Sequence, residues 1–275
     1  MRQLLSIEYS KLKSLNAIKI ILIIYMIIVP LFMYVASEFL YGILFPALKQ
    51  PQPGVEPGTF VFNYPQIWEF PEMLKYTFYC ASYFHVLVSL ILVIIVSNEF
   101  SFRTAKQNII DGMTKKQLIF SKLAILLFLS VFVTLYNCLL ALVLGLINSD
   151  TVNLYENSHY IFVFFFQSFC YFSIALFFVT VIRHTAMSLV TVIVFPVVDF
   201  IAGKIVPPMI YVFFPLNIFS TLTPSPIRKE ILQLEESQSK QKILELELWQ
   251  LIGLSAAFVL ILYFVSYISL KKRDL

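Results

Sequence analysis

Charge is scarce in this chain. Of its 275 residues, 13% are Asp, Glu, Lys or Arg, while 59% are hydrophobic. Soluble domains carry about 25% charged and roughly 45–50% apolar residues. The composition excludes a soluble globular protein. A length of 275 residues leaves room for about six bilayer crossings and little else. There is no G-x-x-x-x-G-K-[ST] loop, so the chain does not itself cradle nucleotide phosphates in the P-loop manner. H-E-x-x-H is absent too, which weighs against an intramembrane metalloprotease. Cys80, Cys138 and Cys170 each sit inside an apolar run. They lack the close pairing of a zinc site and the external placement of a disulfide framework, and read as small buried hydrophobes. No carboxylate pair, metal-ligand cluster or nucleophile–base spacing stands out. The expectation is a chain without a catalytic, cofactor or metal site.

A cleaved signal is not expected either. Residues 1–17 are polar and amphipathic, and the apolar run after them exceeds an h-region of about 7–15 residues. That run reads as a retained first membrane helix. The net charge of +4 is modest, and nucleic acid is not an expected partner.

What the chain has in quantity is apolar runs of membrane length. They cover residues 18–35, 74–96, 123–147, 160–182, 187–203 and 251–270. Each is about long enough for a ~30 Å hydrocarbon core. The expected fold is an all-α membrane protein, a single transmembrane domain with six spans. With the N-terminus inside, the inner segments hold 13 Lys and Arg against 7 outside, and five of those 7 lie in one long outer loop. Basic residues favour the cytosolic side, so both termini are expected there. Residues 207–222 are apolar but broken by Pro207, Pro208 and Pro215. They read as a re-entrant or interfacial element, not a seventh span, because backbone shielded by protein tolerates such breaks.

Two elaborations fall on the expected outer side. Residues 50–71 carry five prolines with Phe60, Phe62, Tyr64, Trp68 and Phe70, a pattern that prevents regular helix and suits the headgroup layer. Within the outer loop 204–250, residues 227–249 lack Gly and Pro and predict an external helix running into the last span. Both read as a structured cap.

The expected inner side carries two signals. Residues 2–16 place Leu4, Leu5, Ile7, Tyr9, Leu12 and Leu15 on one helical face and Arg2, Gln3, Ser6, Ser10, Lys13 and Ser14 on the other. A helix of this kind lies along the inner leaflet, where its basic residues favour anionic lipid. It serves either as a surface anchor or as an elbow for a partner protein. The second signal is the polar, basic segment 98–122. Ser101 is placed to cap a short helix ending near Ile110, with Asp111-Gly112 as its stop. Thr114 to Gln117 fits a capping box opening span three. The short helix presents Arg103, Thr104, Lys106, Gln107 and Asn108, to a docked protein or to solvent.

Polar residues inside the spans are few. Ser82, His85 and Ser89, at i, i+3 and i+7, fall on one stripe of span two. A histidine within a span faces protein or water. His85 is thus either a pathway residue or bonded to a neighbouring helix. Ser130, Thr134, Asn137, Cys138, Ala141 and Gly145 form a stripe on span three that suits close helix packing. Gln167, Ser168 and Ser173 read likewise. Pro196 predicts a kink in span five, and Asp199 is placed to pair with Lys204 or to line an outer gate.

Six spans, a basic amphipathic N-terminus, and Asn98-Glu99-Phe100 through Arg103-Thr104 and Gln107-Asn108 to Asp111-Gly112 resemble the ABC type-2 exporter permeases. The stretch is especially similar to permease subunits common in Bacteroidetes. The broader family often has Gly-Thr where Arg103-Thr104 stands, and a Pro-x-(Ser)-Arg motif near Thr114 to Lys116. The resemblance implies a subunit of a bacterial cytoplasmic (inner) membrane exporter. It would pair with a second permease subunit, as homo- or heterodimer, among membrane lipids. A separate cytosolic ABC ATPase subunit would bind the ATP. The segment after span two would be the coupling helix, with Glu99, Arg103, Thr104, Lys106, Gln107 and Asn108 as ATPase-coupling residues. The N-terminal helix would be the elbow, and Ser82, His85 and Ser89 would line the pathway of an alternating-access cycle. Two other readings stay open: a non-transporting assembly or anchoring protein, and an intramembrane lipid-modifying enzyme.

Overall fold

A computed structural model describes residues 16–44, 46, 66–102, 104–112, 114–149, 156–225 and 246–272. The amphipathic segment 1–15, most of the aromatic loop 50–71, nearly all of 227–249, and Arg103 lie outside the described residues. All regular structure among the described residues is helical. Helix α1, Asn16–Phe39, continues as a π-helical turn, Leu40–Leu44. Span two is made of α2, Glu72–Ser82, and α3, His85–Ser101. A short helix α4, Thr104–Ile110, leads to α5, Lys115–Asn148. Then come α6, His159–Ile182, and α7, Thr185–Ile205. Two short helices, α8 at Pro208–Tyr211 and α9 at Pro215–Thr221, precede the last helix, α10 at Leu248–Lys272. Five of these helices are long and apolar enough to cross a bilayer, and α2 with α3, bent by 50°, makes a sixth if taken as one span. The chain is a multi-pass, all-helical membrane protein by this architecture.

Local signals explain the helix ends around α4. Asp111 N–H donates to the Gln107 carbonyl and Gly112 N–H to that of Ile109. Gly112 then turns the chain at φ +100°, a conformation that costs glycine nothing. Thr114 caps α5 reciprocally. Its hydroxyl accepts from the Gln117 N–H at 3.3 Å, and Gln117 Oε1 accepts from the Thr114 N–H at 2.9 Å.

Several expectations are corrected. Ser101 does not cap the short helix; it is the last residue of α3, and its hydroxyl lies 3.2 Å from that of Thr185. Span two is not one straight helix, so Ser82 and His85 belong to different segments. No helix runs unbroken from the preceding loop into the last span. Residues 246–247 are non-helical, and Gln250 Oε1 accepts from the Glu247 N–H at 2.9 Å, capping a fresh start at Leu248.

Helix α6 is the centre of the bundle, packed against α3, α5, α7 and α10. Its aromatic side chains interleave with span two; Phe78 stacks on Phe164 at 4.6 Å. Helix α1 sits at the edge and is fastened by three polar contacts. Asn137 donates to the Tyr25 hydroxyl (2.7 Å), Tyr136 to the Met26 carbonyl (2.6 Å) and Tyr76 to the Met33 carbonyl (2.6 Å). The polar stripe of α5 faces this core: Ser130, Asn137 and Ala141 are fully buried.

Gly145 on the same stripe admits a ring. A Cβ there would lie 2.3 Å from Phe70 Cε2, and Phe70 is itself buried and anchored by its N–H to the Ser149 hydroxyl at 2.8 Å. Gly145→Ala is therefore expected to destabilise the protein by about 1–3 kcal/mol, the usual cost of overpacking. Denaturation of the purified variant in detergent checks this, and Gly145→Ala at wild-type stability would show that Phe70 gives way freely.

Candidate functional site

At one end of the bundle the ends of α3, α6 and α10 meet the starts of α5 and α7, and α4 packs beside the end of α3. Glu99, near the end of α3, and Lys122, at the start of the third turn of α5, form a buried ion pair there. Their residues are 3% and 4% exposed. The resemblance casts Glu99 as an ATPase contact, but its carboxylate faces the neighbouring helix and not the exterior. The pair joins the two stems from which α4 hangs. Thr104 secures the near stem, its hydroxyl donating to the Glu99 carbonyl at 3.3 Å.

Of the other coupling candidates, Thr104, Lys106 and Gln107 are exposed and Asn108 is half-buried. Gln107 donates to the Asp111 carboxylate at 3.0 Å, which braces the helix across its own stop. Two large apolar side chains flank α4, Phe102 at 76% and Ile110 at 68% exposure. The short helix thus offers a cation and amides between two exposed apolar side chains.

Arg183 completes this end, and no sequence signal pointed to it. It closes α6 in the left-handed conformation at φ 56°, uncommon for a residue with a side chain. Its guanidinium donates to the Ser269 carbonyl at 3.1 Å and lies 5.4 Å from the Phe100 ring centre. One side chain therefore ties together the ends of α6, α10 and α3.

The pathway candidates sit elsewhere. His85 is 1% exposed and Ser89 is 3% exposed, while Ser82 is half-buried. His85 Nε2 lies 2.8 Å from the Ser168 hydroxyl on α6, and its ring stacks on Tyr171 at 4.8 Å. The alternative of a histidine bonded to a neighbouring helix is the arrangement observed. A buried Ser168–His85 pair has the outline of a nucleophile and base, which the spacing of 83 residues hid. Yet Ser168 is fully buried and Phe164, Tyr171 and Phe172 enclose the imidazole. No space remains about 3 Å from the hydroxyl for a reacting carbonyl.

The proline-broken segment docks on α6 through Gln167. Its amide donates to the Phe219 carbonyl at 2.8 Å and its carbonyl oxygen accepts from Thr223 at 2.8 Å. Leu216, Ile218, Phe219 and Leu222 are buried beside it. Asp199 accepts from the Tyr211 hydroxyl at 3.0 Å. It does not pair with Lys204, whose amine lies 5.6 Å from the Phe200 ring centre. A Gln167→Leu substitution removes both bonds and is expected to cost about 0.6–2 kcal/mol. An unchanged melt for that variant would show that the apolar contacts alone hold the segment.

No group of three His, Cys, Asp or Glu side chains placed to hold a metal ion occurs among the described residues. No protein-family model matches the chain, and no curated protein matches it.

Proposed function

We propose that the chain is the transmembrane permease subunit of an ATP-binding-cassette exporter, driven by a separate cytosolic ATPase. The observation that carries the reading is α4. It is an exposed short helix between spans two and three, suspended from two stems that a buried Glu99–Lys122 pair locks together. A docking partner that pushes on α4 displaces both stems as a unit. Exposed Lys106 and Gln107 meet the partner, with Phe102 and Ile110 filling apolar hollows on its surface. Glu99 holds the lever and does not touch the partner. The clustering of Lys and Arg around α4 supports a cytosolic position for it and for both termini. The subunit has no nucleotide site of its own and pairs with a second permease subunit in the inner membrane of a bacterium. Alternating access then follows from ATP binding on the partner, which shifts the population between inward-open and outward-open states.

Cysteine labelling tests the orientation on which this depends. With the native cysteines replaced, Thr104→Cys is expected to react with a membrane-impermeant maleimide only in inside-out vesicles. Labelling only from the periplasmic side would end the reading.

A further inference from the structure

Span two breaks at Tyr83 and Phe84, where the sequence holds neither proline nor glycine. Sharp helix breaks arise at such residues, at π-bulges, or where a side chain enters the backbone ladder. In an unbroken helix the Ser82 carbonyl would accept from the N–H of Val86, four residues on. Here it faces His85 Nδ1 at 2.8 Å. A carbonyl only accepts, so Nδ1 carries the proton; Nε2 faces the Ser168 hydroxyl at 2.8 Å, and that hydroxyl also reaches the Phe164 carbonyl one turn back at 2.9 Å. The Ser82 hydroxyl also turns back, donating to the Tyr79 carbonyl at 2.7 Å. Tight turns close the gap: Phe84 N–H to the Ala81 carbonyl at 3.0 Å, and Leu87 N–H to the Phe84 carbonyl at 3.1 Å.

The same ring reaches outward. His85 lies flat on Tyr171 with planes 4° apart. Tyr171 meets Phe219 of α9 edge-on at 5.8 Å. One turn away on α6, Gln167 holds the Phe219 carbonyl. The break in span two and the docked segment Pro215–Thr221 therefore share one cluster on α6.

We propose that His85 is the pin of a hinge in span two. Its ring takes the Ser82 carbonyl, sets the 50° bend between α2 and α3, and through Ser168 and Tyr171 couples that bend to α6 and α9. Helix α3, which leads directly to α4, swings against α2 about this point without leaving a bare carbonyl in the apolar interior. The inference stands on the break and its bonds alone, independent of the exporter reading.

Paired spin labels at Glu72→Cys and Ser101→Cys test it, with Cys80, Cys138 and Cys170 replaced by Ala and the chain in nanodiscs. With the pin removed by His85→Ala, Val86 N–H recaptures the Ser82 carbonyl and span two straightens. Segments of 11 and 17 residues joined at 50° gain about 4 Å end to end when straightened, at 1.5 Å rise per residue. Ser168→Ala keeps the pin on Ser82 but frees it from α6, so the mean distance should stay and the distribution broaden. A folded His85→Ala protein with the wild-type distance overturns the proposal. If His85→Ala does not fold, Ser168→Ala decides alone, and an unbroadened distribution overturns it.

Discussion

Lys122→Met is expected to lower stability by about 3–5 kcal/mol, the usual cost of stripping one partner from a buried ion pair. The reason is what the substitution leaves behind. Lys122→Met removes the cation that Glu99, 3% exposed, is bonded to in the packed interior, and puts an apolar group against that carboxylate. Adding Glu99→Leu should recover most of the loss, because apolar side chains of similar volume often replace a buried pair at no net cost. Chemical denaturation of both variants in the same detergent measures this. Equal destabilisation of single and double variants would mean that the stems rely on packing and not on the pair. The double variant has a second use. If the pair keeps the two stems in register beneath α4, this protein should be as stable as the wild type and yet transmit less of the ATPase stroke.

Charge reversal on α4 should have the opposite profile: intact fold, lost coupling. Lys106 is exposed, so Lys106→Glu removes no internal contact of the described structure, and surface changes of this kind usually stay within about 0.5 kcal/mol of neutral. Combined with Arg103→Glu, which extends the sign change along the segment, it should weaken ATPase binding by about 2–5 kcal/mol if these cations enter charge-assisted contacts with the partner. Melting and ATPase association measured side by side separate the two effects. A double variant that binds and transports like the wild type would remove α4 from the motor.

The parts of this architecture governed by nearest neighbours along the chain were legible in the sequence. Apolar runs mark every membrane-length helix because lipid accepts little else. Gly112 and the Thr114–Gln117 cap fix the stop and restart around α4, since both act within four residues. The rest depends on partners far apart in sequence. Glu99 and Lys122 look like two ordinary charges of a basic loop until α3 and α5 are packed side by side. The break at Tyr83–Phe84 has no breaker of its own. Its cause is a His85 ring that takes the carbonyl of the residue just before the gap, and that ring is held by Ser168, 83 residues away. Reading Ser82, His85 and Ser89 as one stripe assumed a continuous helix, and the same ring that prompted the reading is what interrupts it. Arg183 carried no signal, because a left-handed helix end is marked in sequence by Gly or Asn.

The most direct measurement of the central claim is the ATPase activity of the affinity-purified chain, extracted from its native membrane, with co-purifying proteins identified by mass spectrometry. The exporter reading predicts a stoichiometric cytosolic partner that bears a P-loop, ATP hydrolysis in the purified complex, and loss of both when Arg103 and Lys106 are reversed to Glu. A chain that purifies to homogeneity from gentle detergent without any nucleotide-hydrolysing partner, and whose vesicles move nothing when ATP is supplied, would contradict it.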